Sequence, residues 1–297
     1  MGGLLAGVKI AVLGGDAREL VLIPELVQLG AEVRVVGYPP RPELSGCTVG
    51  QSPQELVREA EVIILPVPGV DAAGLIRAPY ADGQLIFDEE LAAAISAGAL
   101  VLVGTARPWL KEQARKNGWR LIETADLDEM AILNSIPTAE GAIMLAMQEL
   151  PFTIHGSNSF VLGLGRVGFT LACMLAGLGG RVTVVDRGAA DRARAYCQGW
   201  RAVDFAELPG VIGEAEIIFN TVPAMVLTAE LLTLTRPDCF IIDLALAPGG
   251  TDFEAARNLG RRALLAPGLP GKVAPKTAGQ ILARIYPRLI CEHLGRS

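Results

Sequence analysis

The chain has 297 residues, of which 51% are hydrophobic and 20% charged, and its formal net charge at pH 7 is -6. This composition is typical of a folded protein with room for two domains, and it excludes a disordered or fibrous chain. It also excludes an extended nucleic-acid surface, because phosphate contacts need clustered basic side chains and acidic residues outnumber basic ones, 32 to 26.

Short apolar segments alternate with helix-like segments along almost the whole chain, a pattern typical of parallel sheets built from strand-helix-strand units. We therefore expect an α/β fold with two doubly wound parallel-sheet domains, the second a Rossmann dinucleotide-binding domain. The predicted strands of the first sheet are residues 9–13, 32–36, 61–65, 100–103 and 120–122. Those of the second are residues 160–162, 181–185, 200–203, 216–220, 239–244 and 262–266.

The predicted domains are an N-terminal, substrate-side domain over residues 1–133 and the Rossmann domain over residues 151–276. Between them, residues 134–150 form a connecting helix, with Pro137 and Thr138 at its entrance. The last segment, residues 277–297, is a predicted helix that is able to pack on the first domain.

The longest uncharged apolar run, residues 91–106, contains two glycines and is better explained by a helix, a turn and a buried strand than by a membrane span. No transmembrane helix is therefore predicted, and no secretory leader precedes the first strand. The five cysteines form no CxxC pair. Together these features favour a reduced, cytoplasmic location.

The opening sequence KIAVLGGDAREL contains a strand, a glycine turn and the start of a helix, as in a dinucleotide site. Asp16, however, stands where a pyrophosphate would lie, and a carboxylate repels phosphate. We expect Asp16 to cap the helix N-terminus, with a substrate-facing role for Asp16 or Arg18 as the alternative. The nucleotide site is expected elsewhere.

That site is predicted at the sequence FVLGLGRVG, where Gly163, Gly165 and Gly168 follow an apolar strand and precede a helix. The three glycines provide a tight turn, the close approach of the backbone to a pyrophosphate, and close packing of helix on strand. The N–H groups at the helix start, from Arg166 and Val167 onward, would bind the phosphates.

The second strand of this domain ends at Asp186, 23 residues after Gly163, as a dinucleotide fingerprint requires. Asp186 should accept hydrogen bonds from the adenosine ribose, which favours NAD. Arg187, if it turns inward, would favour NADP instead. The residues alone leave both cofactors open.

Ligands bind beyond the carboxyl ends of parallel strands, so the segments after the later strands are further candidates. Predicted cofactor-binding residues there are Asn220, Thr221, Val222, Pro223 and Asp243. Lys272 and Lys276 lie in a segment rich in proline and glycine, which suits the binding of a carboxylate substrate. Ser135 and Thr138 are candidates for hydrogen bonds to the same carboxylate, with helix capping as their alternative role.

No catalytic residue and no metal site are assigned. His155 precedes its strand, and so is expected at the sheet edge opposite the phosphates, and His293 lies near the end of the chain. The sequence contains no metal-ligand cluster. The oligomeric state stays open, a homo-oligomer included.

Five stretches resemble the A subunit of dipicolinate synthase, namely NSIPTAEGAIM, FTIHGSN, VLGLGRVGFTLA, DLALAPGGTDF and LLAPGLPGKVAPKTAGQIL. The resemblance implies oxidation of dihydrodipicolinate, a small dicarboxylate, with hydride transfer to NADP. It also implies a partner, the flavoprotein-like B subunit of dipicolinate synthase, and expression in the mother cell of a sporulating bacterium. One departure concerns the cofactor, since members of the family have a small residue followed by arginine where this chain has Asp186 and Arg187.

Two other functions are considered. A 2-hydroxyacid dehydrogenase would share the two-domain arrangement, but it needs a histidine backed by a carboxylate, and His293 with Glu292 is poorly placed for this. The second alternative is a protein that binds the cofactor without chemistry and activates its partner.

Overall fold

The computed structural model describes residues 3–296, which form two compact units. Unit 1 consists of residues 3–131 and 274–296, and unit 2 of residues 132–273. Each unit holds a six-stranded parallel sheet within the described residues. The predicted fold class is confirmed.

Unit 1 is built on a doubly wound sheet. Its strands are β1 (Lys9–Leu13), β2 (Glu32–Val36), β3 (Thr48–Val49), β4 (Val62–Ile64), β7 (Leu100–Val103) and β8 (Arg120–Glu123), in the order β3-β2-β1-β4-β7-β8. A two-stranded antiparallel ribbon, β5 (Leu75–Ile76) and β6 (Leu85–Ile86), is inserted between β4 and β7. The helices are α1 (Glu19–Gln28), α2 (Pro53–Arg58), α3 (Glu89–Ala94) and α4 (Pro108–Asn117), with 3-10 turns at Pro42–Leu44 and Thr124–Asp126.

Unit 2 contains most of α5 (Asp128–Glu149) and a second doubly wound sheet. Its strands are β9 (Asn158–Leu162), β10 (Arg181–Val185), β11 (Arg201–Val203), β12 (Ile217–Asn220), β13 (Phe240–Asp243) and β14 (Arg262–Leu265), in the order β11-β10-β9-β12-β13-β14. The helices are α6 (Arg166–Gly177), α7 (Ala189–Cys197), α8 (Leu208–Val211), α9 (Ala229–Thr233), α10 (Phe253–Asn258) and α11 (Leu269–Val273), with a 3-10 turn at Ile212–Glu214. The order reverses between β9 and β12, where a doubly wound sheet binds its ligand.

Helix α5 begins earlier than its sequence predicts. Pro137 and Thr138 lie inside this helix rather than at its entrance, and the division between the units falls within it, after residue 131. The residues before Pro137 are helical because Asp128 and Glu129 place negative charge in the first turn. Pro137 removes one hydrogen bond from the helix. The packing of the buried residues Ala139, Ala142 and Ala146 in the core of unit 2 offsets this loss.

The segment rich in proline and glycine that contains Lys272 and Lys276, residues 267–280, is mostly helical. It contains α11 and the start of α12 (Pro275–Leu294), because Pro270 and Pro275 each lie in a first helical turn, where proline is tolerated. Helix α12 belongs to unit 1 and packs closely on α1. A Cβ on Gly279 would lie 2.6 Å from the Arg18 carbonyl oxygen.

One helix in the described residues, α5, is long and apolar enough to cross a membrane by length and composition alone. Core helices of folded domains pass the same test, and one side of α5 is buried in the unit 2 core. The run of residues 91–106 forms α3, a turn and β7, as its sequence predicts.

Candidate dinucleotide-binding site

The glycine turn between β9 and α6 is built by steric requirements at two of its glycines. Gly163 has a φ of +87°, a conformation that favours glycine. A Cβ on Gly168 would collide with the carbonyl oxygen of Gly163, so only glycine allows the helix to pass this close to the strand. The turn geometry is therefore fixed by the protein itself.

Gly165 differs, because packing within the protein does not require it. A Cβ there would meet no protein atom within 4 Å, and its φ of -74° is open to any residue. Gly165 is also the N-cap of the twelve-residue helix α6, whose N-terminus has no side-chain cap. A pyrophosphate against this backbone explains the glycine and would accept hydrogen bonds from the helix N–H groups, Arg166 and Val167 included, so the residues fit a dinucleotide.

Asp186 lies beside this turn, directly after β10. One carboxylate oxygen accepts a hydrogen bond from the N–H of Leu164 at 2.7 Å, and the other accepts one from the N–H of Gly188, also at 2.7 Å. These two bonds hold the carboxylate next to the second residue of the turn. Arg187 is exposed at the same edge of the sheet.

The loop after β12 is anchored to the glycine turn. The hydroxyl of Thr221 donates to the carbonyl oxygens of Leu162 and Gly163, at 2.9 and 3.2 Å. Val222 is half-buried and Pro223 exposed, so both stay candidates for contact with a ligand.

Asn220 and Asp243 lie in the protein interior, whereas the sequence predicts that they contact the cofactor. Both side chains have 0% exposure, so they cannot touch a cofactor. The Asp243 carboxylate accepts hydrogen bonds from the Asn220 amide, the N–H groups of Ala245 and Gly250, and the Thr251 hydroxyl, at 2.7 to 3.0 Å. The prediction of direct binding is corrected, because these two residues position the loops after β12 and β13. Thr251 is a member of this network that the sequence did not reveal.

The corresponding turn of unit 1 is filled by carboxylates of the protein. Asp16 accepts from the N–H of Arg18 at 3.1 Å and forms two bonds of 2.9 Å with the Arg18 guanidinium. Glu19, in the first turn of α1, accepts from the N–H of Asp16 at 2.7 Å. Arg18, rather than Asp16, is the N-cap residue. Arg18 is buried and bound by Asp16, and its contact with a substrate stays a prediction.

Glu19 is a buried ionisable residue of this cluster that the sequence did not reveal. Its exposure is 1%, and burial raises its pKa to about 7, with the charge of Asp16 adding to the shift and that of Arg18 opposing it. Burial would also raise the pKa of Asp16, but the hydrogen bonds and charge of Arg18 outweigh it and lower that pKa. Tyr286 on α12 is fully buried, and burial raises its pKa as well. This ionic cluster occupies the place of an anion site.

Ser135 and Thr138 serve helix α5 itself. The Ser135 hydroxyl donates to the Ile132 carbonyl at 2.6 Å and lies 2.6 Å from the Thr170 hydroxyl, while Thr138 donates to the Asn134 carbonyl at 2.7 Å. Both hydroxyl protons are bound by carbonyl groups of α5, and the contact of these residues with a substrate carboxylate stays a prediction.

Lys272 and Lys276 are both exposed, Lys272 at the end of α11 and Lys276 in the first turn of α12. His155 is exposed and precedes β9, at the amino edge of the sheet. Within residues 3–296, no group of three or more His, Cys, Asp or Glu side chains is placed to hold a metal ion.

Comparison with known proteins identifies the family. Residues 9–125 match the model of the N-terminal domain of the dipicolinate synthase A subunit. The chain is 39% identical, over 97% of its length and 98% of the relative's, to the dipicolinate synthase A subunit of Bacillus subtilis strain 168. The chain belongs to the family of dipicolinate synthase A subunits.

The crystal structure of the dipicolinate synthase A subunit from Bacillus halodurans superimposes with a TM-score of 0.94 at 38% identity, covering 97% of this chain and 99% of that one. A transhydrogenase from Sinorhizobium meliloti superimposes with a TM-score of 0.66 at 18% identity, covering 97% and 96%. The latter likeness shows a shared fold. The dipicolinate synthase family thus has the fold of this oxidoreductase.

Proposed function

We propose that the chain is the cofactor-binding subunit of an oxidoreductase that converts dihydrodipicolinate to dipicolinate, with hydride transfer to a nicotinamide dinucleotide. Family membership supports the substrate. The cofactor rests on one observation, the open space at Gly165 beside the uncapped N-terminus of α6. The resemblance implies NADP, whereas Asp186 favours NAD.

The reaction removes two hydrogens from the dihydropyridine ring, one as a proton and one as the hydride that a bound nicotinamide accepts. The formation of an aromatic ring provides much of the driving force, so the chain mainly has to hold the ring in position. In unit 2, the α6 N–H groups would hold the pyrophosphate, and Thr221 keeps the glycine turn fixed. Lys272, at the end of α11, is an exposed ammonium group of this unit that we propose for a substrate carboxylate.

The partner is proposed from the names of the relatives, since an enzyme with a lettered A subunit has at least one other subunit. We propose that the B subunit of dipicolinate synthase completes the enzyme, in the cytoplasm of the mother cell of a sporulating bacterium, as the family resemblance implies.

The test is an assay of the full chain with dihydrodipicolinate and oxidised NAD or NADP, with and without the B subunit. We expect equal amounts of reduced cofactor and dipicolinate, and loss of both with the Gly165→Ala variant. Gly177→Ala is the matched control, because a Cβ on Gly177, at the other end of α6, also meets no protein atom within 4 Å. Absent turnover, or turnover unaffected by Gly165→Ala, would overturn the proposal.

A further inference from the structure

The edge of unit 2 that follows β10 carries two carboxylates around one glycine. Asp186 is the first, and its orientation is set by the bonds from Leu164 and Gly188. Asp191 is the second, since a Cβ on Gly188 would lie 2.8 Å from an Asp191 carboxylate oxygen and 3.2 Å from one of Asp186. Both acids therefore border the position where a dinucleotide fold binds the adenosine ribose.

The hydrogen bond from the Gly188 N–H to the Asp186 carboxylate also bears on which ribose substituent fits here. A 2′-phosphate at this position would need N–H donors, and the Gly188 N–H is already bound by a carboxylate. A ribose 2′-hydroxyl, in contrast, can donate its proton to a carboxylate. The local hydrogen-bonding pattern suits a hydroxyl and opposes a phosphate.

The arginines of α7 are bound by protein groups. Arg192 pairs with Asp204 at 2.6 Å and donates to the Asp186 carbonyl oxygen at 2.7 Å. Arg194 pairs with Asp191 at 2.6 Å. Of the three arginines that follow β10 at positions 187, 192 and 194, exposed Arg187 is therefore the one left to meet a phosphate, and it adjoins the charge of Asp186 in the chain.

We propose that this chain uses NAD rather than NADP, with Asp186 and Asp191 as its specificity determinants and with Asp204 withdrawing Arg192 from cofactor binding. This inference rests on the proposed function, because it assumes that the turn of Gly163 and Gly165 binds a dinucleotide.

The test is a titration of the full chain with NADH and with NADPH, by cofactor fluorescence or calorimetry. The wild type is expected to bind NADH at least tenfold more tightly. Asp186→Asn should remove this preference by weakening NADH binding and strengthening NADPH binding. Asp191→Asn and Asp204→Asn should each raise the affinity for NADPH relative to that for NADH several-fold.

Asp238→Asn is the control, because Asp238 is an exposed aspartate of the same unit, paired with Arg236, that does not border Gly188. A purely structural role for Asp191 or Asp204 would change both affinities together, and so would not move their ratio. Equal affinities in the wild type, tighter NADPH binding, or an unchanged ratio in all three variants would overturn the inference and leave the proposed function standing. Failure of the wild type to bind either cofactor would overturn the proposed function itself.

Discussion

The side-chain amide of Asn220 donates a hydrogen bond of 3.0 Å to the Asp243 carboxylate, and neither side chain is exposed. The bond joins the carboxyl ends of β12 and β13, which are neighbours in the sheet. This bond restrains the loops after β12 and β13, which border the candidate site. Motion of these loops would weaken ligand binding. The site is thus supported by a buried polar network rather than by the turn alone.

Asp243→Ala should destabilise unit 2 by about 3 kcal/mol, because buried donors of Asn220, Gly250 and Thr251 would lose their acceptor. The measurement is the denaturant midpoint of the full chain. Asp238→Ala, which removes an exposed ion pair, is the control and should cost less than about 1 kcal/mol. Equal effects of the two substitutions would show that the network contributes no stability.

Gly165→Ala should lower the affinity for the nicotinamide cofactor at least about tenfold, equivalent to about 1.4 kcal/mol, and leave the melting temperature near that of the wild type. The reason is that its Cβ would meet no protein atom but would enter the space proposed for the pyrophosphate. Cofactor titration and thermal unfolding measure the two effects separately. If Gly165→Ala and the control Gly177→Ala both bind the cofactor as tightly as the wild type, a pyrophosphate at this turn is excluded.

Gly168→Ala should weaken both binding and folding. Its Cβ would collide with the Gly163 carbonyl oxygen, a backbone atom that cannot move without shifting the turn. We expect destabilisation of about 1–3 kcal/mol, the usual cost of overpacking. Thermal unfolding of Gly168→Ala beside Gly165→Ala measures the contrast, and equal melting temperatures would contradict the close packing of α6 on β9.

The sequence was a good guide where the requirement is local. Gly163 and Gly168 of the glycine turn each have a steric task that their spacing reveals, and strands such as β1 and β10 have the predicted bounds. It was a poor guide at prolines, because Pro137 lies inside α5, where tertiary packing decides, and Pro275 begins α12, where the first-turn position tolerates proline. This also misplaced Ser135 and Thr138, which form bonds within α5.

Residues whose environment comes from distant parts of the chain could not be predicted. Glu19 is buried beside Asp16, near Tyr38 and Tyr286, so its surroundings depend on the packing of α12 on α1. Asp191 and Arg192 both lie on α7, and only the fold brings them to Gly188 and Asp204.

Glu19 should make unit 1 less stable as the pH rises, the opposite of the effect of a carboxylate whose pKa is lowered by folding. Burial raises its pKa from 4.5 to about 7, so the folded state binds its proton more tightly than the unfolded state does. The stability that this contributes is fully present below pH 4.5 and is lost as the pH rises through 7. Because Asp16 has a lowered pKa, its own contribution runs the other way, and is lost only in acid below its ordinary value of 3.8.

Glu19→Gln keeps the shape and an acceptor for the Asp16 N–H, and removes the titration. The variant should match the wild type near pH 4.5 and exceed its stability at pH 8 by up to about 3 kcal/mol, the equivalent of the shift at about 1.36 kcal/mol per pH unit. Thermal unfolding of the full chain between these pH values measures the difference. Glu90→Gln, at an exposed glutamate of α3, is the control and should follow the wild type at both. Parallel curves for Glu19→Gln and the wild type would show that Glu19 stays charged in the folded protein, stabilised by Arg18.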